Sequence, residues 1–221
     1  MSLLKISPLS GPHRMLEGRH ETIDGWRLVV DFGDPEAEKR ALAEDSVLVD
    51  WSHIGKIRLY GGRSVEEIQK VEPDAAALPI HGTRCRPGRV TIRLVEDEFL
   101  ILCRPGEETG IFGRFDSEAT TLTDETGTLA CLVLAGPRRD EVIERSTALN
   151  LRRDVVPDHT AVQTTVHVVR CTIYRTPDAD VVLTGRDTAH FLFDAFLDVG
   201  TGVGLKPAGL STLPVKLGDG S

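Results

Sequence analysis

The sequence has no C-x-x-C pair, no G-K-[ST] behind a glycine turn, and no two histidines spaced i, i+4 on one predicted helix. The first absence, with only Cys85, Cys103, Cys131 and Cys171 present, removes the usual paired-thiol signatures of redox and zinc sites. Cys103, Cys131 and Cys171 each fall in an apolar, strand-like run, so the cysteines read as buried, reduced thiols. Without the lysine of a phosphate loop, the Gly61-Gly62 turn is not a nucleotide cradle. Gly200 to Gly209 follows a predicted helix rather than a strand, so a dinucleotide fingerprint fails on context. No apolar run is long enough to span a bilayer, and Met1 to Leu16 holds no apolar signal core. A cytoplasmic location is the expectation. Positive charge is in short supply: 26 Lys and Arg stand against 34 Asp and Glu, a formal net charge of −8. Such a chain is not expected to bind nucleic acid or an anionic membrane through charge.

What remains is an ordinary globular composition, 40% hydrophobic and 27% charged, over 221 residues. That is enough for a buried core in one large domain or two small ones. Residues 1–20, broken by Pro8, Gly11, Pro12 and Gly18, read as a loose arm. Residues 21–203 read as the folded domain and residues 204–221 as a glycine-rich tail with a short strand at Val215 to Leu217. Strands are expected at Trp26 to Phe32, Arg89 to Val95, Glu98 to Cys103, Val162 to Tyr174 and Val181 to Leu183. Thr120 to Asp124 and Leu129 to Leu134 read as a hairpin about Glu125 to Gly127. Helices are expected at Pro35 to Glu44 with Asp34 as N-cap, and at Ser64 to Val71 behind a Ser64…Glu67 capping box. Two more run from Gly136-Pro137 to Ala148 and from Arg186 to Val199, the last with an apolar face of Phe191, Leu192, Ala195 and Phe196. Helices alternating with hairpins argue for an α+β fold, antiparallel sheets covered on one face by helices. The strand–glycine–helix pattern at Leu59 to Glu67 and again at Leu134 to Val142 hints at an internal duplication.

The stretch from Val47 to Gly61 organises the rest. A strand reaches a polar hinge at Asp50, Ser52 and His53, turns at Gly55 and continues as an alternating strand. Ile57, Leu59 and Gly61 face one side, and Lys56, Arg58 and Tyr60 the other. A carboxylate, a hydroxyl and an imidazole at one turn suit a polar ligand, although plain turn capping explains them as well. Asp45, Asp50, His53, Lys56 and His81 are the candidate acid–base groups, with Ser52 beside them as a ligand contact. A basic turn over Gly82 to Gly88 carries Arg84 and Arg86. With Arg89, Arg93 and Arg104 these arginines form either a solvated cluster or an anion clamp.

Asp50-Trp-Ser-His-Ile-Gly-Lys56 resembles the D-x-S-H-M-G-K motif of the glycine cleavage T-protein, a folate-dependent aminomethyltransferase. Asp24-Gly-Trp26, Glu36 to Arg40, Leu134-Ala-Gly-Pro137 and Gly204-Leu-Lys-Pro-Ala-Gly-Leu210 resemble further family segments in the same order. Leu94 to Leu102, Thr121 to Asp124, Leu134 to Asp140 and Leu183 to Asp198 also resemble the gamma subunit of heterotetrameric sarcosine oxidase. The resemblance implies the aminomethyltransferase folate-binding-domain fold, without the family's C-terminal barrel. It also implies where folate groups should lie, and there the sequence departs. The acidic pair falls on Pro87 and Gly88, the asparagine on Arg104, and the pterin-holding glutamate segment on Thr172 to Thr176. A pterin edge left unpaired costs roughly 1–3 kcal/mol per group, so tetrahydrofolate is disfavoured and no cofactor is expected. An alignment shifted enough for Asp97 or Asp180 to compensate would restore a folate-binding protein. The first functional expectation is an accessory subunit of a larger enzyme of small-amine metabolism, with a protein partner. The alternative is a repurposed enzyme acting on an amine-bearing metabolite with an anionic group, including intramolecular amine alkylation or cyclisation.

Overall fold

The computed structural model describes residues 3–218. In chain order the elements are β1 (Lys5–Ile6), α1 (Ser10–Met15), β2 (Arg19–Ile23), β3 (Trp26–Asp31), α2 (Pro35–Glu44), β4 (Ser46–Asp50) and β5 (Gly55–Tyr60). There follow α3 (Ser64–Glu67), β6 (Thr83–Arg86), β7 (Arg89–Val95), β8 (Glu98–Cys103), α4 (Glu108–Phe112) and β9 (Thr121–Asp124). The remainder is β10 (Leu129–Ala135), α5 (Arg139–Ser146), β11 (Ala161–Val166), β12 (Val169–Arg175), β13 (Ala179–Gly185), α6 (Ala189–Gly200) and β14 (Leu205–Ala208). Among the described residues the strands form three sheets, ordered β1-β3-β2, β11-β12-β13-β10-β4-β14 and β6-β7-β8-β5-β9.

The two larger sheets pack face to face. Their strands alternate with period two, and both faces are apolar, so the sequence reads as continuous hydrophobic runs. On β10, Cys131 and Val133 join Val90, Ile92, Leu100 and Leu102 in the core between the sheets. Its other face, Leu132 and Leu134, packs with Val142, Ile143, Leu192 and Phe196 of α5 and α6. On β8, Phe99 and Ile101 turn outward to meet Ile68 and Ile111. Each sheet is thus covered by helices on its outer face and by the other sheet on its inner face. The α+β expectation holds, with helices on one face of each of the two larger sheets, one antiparallel and one mixed.

The suspected duplication is visible in the topology. Each half runs strand, helix, three-stranded meander, helix, strand: β5 to β9 and then β10 to β14. In the second sheet β4 is inserted between β10 and β14, pairing antiparallel with the first and parallel with the second.

Several local expectations hold for stated reasons. Asp34 Oδ1 accepts from the Ala37 amide at 2.9 Å and Pro35 opens α2, which fixes that helix start. Others are corrected. The hairpin about Glu125 does not form, because β9 pairs with β5 in one sheet and β10 with β13 and β4 in the other. The capping box at Ser64 does not form: Ser64 Oγ donates to Asp97 O, and Glu67 accepts from Lys70 and the Asp116 amide. The basic turn is the strand β6, closed against β7 by Pro87-Gly88. On α6, Phe193 is buried and Phe191 is exposed. The arm is not loose. β1 pairs with β3, and Leu9 is fully buried, worth about 2 kcal/mol of apolar burial.

The tail is also built in, though not as expected. Its strand is β14, not Val215 to Leu217, and Leu217 is buried. Gly209 is needed there, since a Cβ would lie 2.2 Å from Val30 C and 2.4 Å from Asp31 N. Gly55 has the same reason for being glycine, with Cys103 Sγ 2.4 Å from where a Cβ would stand. Among the described residues no helix is long and apolar enough to cross a membrane.

Candidate functional site

The hinge between β4 and β5 gathers Asp50, Ser52, His53 and Lys56 as expected, and all four are buried. Their polar atoms are largely spent on one another and on backbone. Asp50 Oδ1 accepts from the Ser52 amide at 2.8 Å, and Oδ2 accepts a short hydrogen bond from Ser7 Oγ. Ser52 Oγ accepts from the Cys131 amide at 3.0 Å. Lys56 faces inward rather than outward: Nζ donates to Ser52 O and Ile54 O, each at 2.9 Å. Burial pushes its pKa down. His13 from α1 completes the cluster, Nδ1 lying 3.9 Å from Asp50 Oδ2. Burial lowers the pKa of both histidines, that of His53 to about 4, with Asp50 opposing the shift in each. His53 Nδ1 is a buried atom without a partner. The hinge is chiefly a lock: it fastens the N-terminal arm and the strand turn to the central sheet.

The other expected site residues lie elsewhere. Asp45 sits at the opposite end of β4, 3.8 Å from Arg138. His81 has φ +67° and bridges strands through its backbone, donating to Arg93 O at 2.7 Å and accepting from the Ala161 amide at 2.8 Å. The arginines do not converge on an empty anion site. Arg84 pairs with Asp74, and Arg86 and Arg89 with the buried Glu72. Arg93 donates to the carbonyls of Ala76, Leu78 and Glu96. Arg104 is exposed and lies over Gly88. The cluster staples the segment between α3 and β6 to the sheet. Among the described residues no group of three or more His, Cys, Asp or Glu side chains is placed to hold a metal ion.

Sequence reading missed a cavity. An open cleft of about 650 Å³ lies where the end of β4, β6, β12 and residues 213–218 meet. None of the expected site residues lines it. Trp51, Leu42 and Leu213 form an apolar wall, the exposed Lys216 supplies positive charge, and Cys85, His159 and Tyr174 form a side-chain cluster. Arg139 also lines the cleft, but its guanidinium donates to the carbonyls of Gly136 and Pro177 and lies 3.8 Å from Asp180. Cys85 Sγ lies 3.0 Å from Tyr174 Oη and 3.7 Å from His159 Nδ1. Burial, then the contact with Cys85, raises the Tyr174 pKa, so its hydroxyl stays protonated. The cluster exists because the sheet edges meet here: Gly82 bridges to Thr160, and Thr83 Oγ1 donates to His159 O at 2.5 Å. His159 is held at φ +59° with its amide on Arg175 O. Such a backbone is uncommon outside glycine and is found where surrounding structure imposes it. The only trace in the sequence was the inward phase of Cys85 between two outward arginines on β6.

The family described as GCVT N-terminal domain matches residues 10–216, nearly the whole chain. The chain belongs to this family. It is 26% identical over 231 residues to the aminomethyltransferase of Geobacillus thermodenitrificans (strain NG80-2), covering 94% of this chain and 62% of that one. It is 27% identical over 240 residues to that of Alkaliphilus oremlandii (strain OhILAs), covering 95% and 62%. The chain therefore spans under two thirds of the length of these curated relatives. The glycine cleavage system aminomethyltransferase T of Bartonella henselae superposes with a TM-score of 0.81 at 20% identity, over 95% of this chain and 60% of that one. A chain of the heterotetrameric sarcosine oxidase of Corynebacterium sp. U-96, solved with pyrrole 2-carboxylate, gives a TM-score of 0.64 at 16% identity, over 75% and 90%. These likenesses establish the aminomethyltransferase fold.

Proposed function

We propose that this chain uses the cleft, not the hinge, to hold a small amine-bearing metabolite with an anionic group, and that tetrahydrofolate is not its ligand. The lining of the cleft carries the reading. Lys216 suits a phosphate, sulfate or carboxylate, Trp51 suits a flat or aliphatic body, and His159 and Tyr174 suit proton exchange with an amine. A pterin edge is a row of donors and needs carboxylate acceptors. Among the described residues the only carboxylate in the lining is Asp178, which is exposed. Asp97 is exposed on the β7–β8 turn, and Asp180 is fully buried and paired with Arg175 and Arg153, so neither lines the cleft. This scarcity of carboxylates in the cleft supports a ligand other than the family's folate group.

The test is native mass spectrometry of the purified chain, followed by titration with phosphorylated and carboxylated amines. One retained or titrated ligand per chain is expected, weakened about tenfold in Lys216→Glu with an unchanged melting temperature. Binding of tetrahydrofolate, or of no anionic amine at all, would sink the reading. A second reading, an accessory subunit of an amine-metabolising complex, draws on the likeness to a sarcosine oxidase chain. It draws also on the exposed apolar side chains Leu3, Leu4, Ile6 and Met15 near the N-terminus. It predicts that ligand binding appears only with a partner chain present.

A further inference from the structure

We infer that Cys85 is a nucleophile: its thiol attacks an electrophilic carbon of the ligand while His159 takes the thiol proton and Tyr174 donates a hydrogen bond to the sulfur. The inference rests on the cleft being a small-molecule site and adds the chemistry performed there. Three observations converge on it. Cys85 is partly exposed in the cleft, whereas Cys103, Cys131 and Cys171 are buried. Burial pushes Cys103 and Cys131 up to about 12 and Cys171 up to about 11, which holds them as inert thiols near neutral pH. The imidazole Nδ1 and the phenol oxygen approach the sulfur at 3.7 and 3.0 Å, one able to accept its proton and the other to stabilise the thiolate. Lys216 lines the same cleft and is exposed, so that it would hold an anionic leaving group.

The step balances within these groups. The S–H proton passes to His159 Nδ1, a C–S bond forms, and the bond from that carbon to the leaving group breaks. The leaving group departs with the electron pair as an anion, beside Lys216. The co-reactant class is an alkyl or acyl carbon bearing phosphate, sulfate or carboxylate. No oxidant or reductant is needed.

Alkylation of the folded chain by iodoacetamide and by iodoacetate at about pH 7.5, followed by peptide mass mapping, tests this directly. Cys85 should be the one site modified, at least about tenfold faster than free cysteine, and His159→Gln should remove that advantage. Tyr174→Phe should slow the reaction to a lesser extent and serves where the histidine variant fails to fold. Iodoacetate should gain on iodoacetamide relative to their ratio for free cysteine, and Lys216→Glu should cancel that gain. If Cys85 reacts no faster than free cysteine and both variants match the wild type, the nucleophile is refuted, whatever ligand the cleft binds. If Cys85 is fast but iodoacetate has no advantage, the nucleophile stands and the anionic-ligand reading fails.

Discussion

The hinge at Asp50–Lys56 and the cleft at Cys85 are neighbours, joined by Trp51, yet their polar groups are used differently. At the hinge, the carboxylate, the hydroxyl and the ammonium are buried and bonded to one another or to backbone. In the cleft, a thiol, an imidazole and a phenol touch one another beside open space. Titratable residues at a turn act as fastenings where most of their hydrogen-bonding capacity is consumed, as at this hinge, where His53 Nδ1 is left without a partner. Trp51 belongs to both regions: its ring lines the cleft while its Nε1 donates to Leu213 O at 3.1 Å, tying the tail to the hinge.

The sharpest break comes from removing the hinge carboxylate. Asp50→Ala strands the Ser52 amide and Ser7 hydroxyl and should cost about 2–4 kcal/mol, read as a lower urea midpoint. Alkylation of Cys85 in the folded fraction should be unchanged; loss of that reactivity without loss of stability would return the hinge to the site. Gly209→Ala, which drives a methyl into the backbone of β3, should cost about 2–4 kcal/mol, and a wild-type midpoint would contradict the close approach of the tail.

Acid should act on the hinge next. His13 and His53 have folded pKa values below the ordinary 6.5, so between there and about 4 the unfolded chain binds more protons. Stability is therefore full above about pH 6.5 and falls as pH drops, by about 1–2 kcal/mol between pH 7 and 5. Urea midpoints across that range check it, and His53→Gln should flatten the slope. The smallest stability effect belongs to the cleft: Cys85→Ser should change stability by less than about 1 kcal/mol while abolishing iodoacetamide labelling. A large destabilisation there would make Cys85 a packing residue.

Much of the fold was legible in order along the chain. Pro35–Glu44, Arg89–Val95 and Glu98–Cys103 match their expected spans, because capping chemistry and period-two alternation act over a few residues. The duplicated strand–glycine–helix pattern was legible for the same reason. Less legible was which strand meets which. Thr121–Asp124 and Leu129–Ala135 look like a hairpin, and only their separate sheets show otherwise. Asp50, Ser52, His53 and Lys56 lie together, being close in sequence, whereas Asp45 and His81, grouped with them as acid–base candidates, lie elsewhere, and the burial of the four was not evident.

The local elements, their α+β alternation and, through motifs such as Asp50–Lys56 and Gly204–Leu210, the family could all be read along the chain. Packing across the sheets was needed to lock the arm and tail in place, to pair Arg84, Arg86 and Arg89 with carboxylates, and to bring Cys85, His159 and Tyr174 together. The reason is separation along the chain: Cys85 and Tyr174 lie in different halves and on different sheets, and no local propensity or period couples them. They are brought together by the packing of two apolar sheet faces, which fixes what stands at their shared edge.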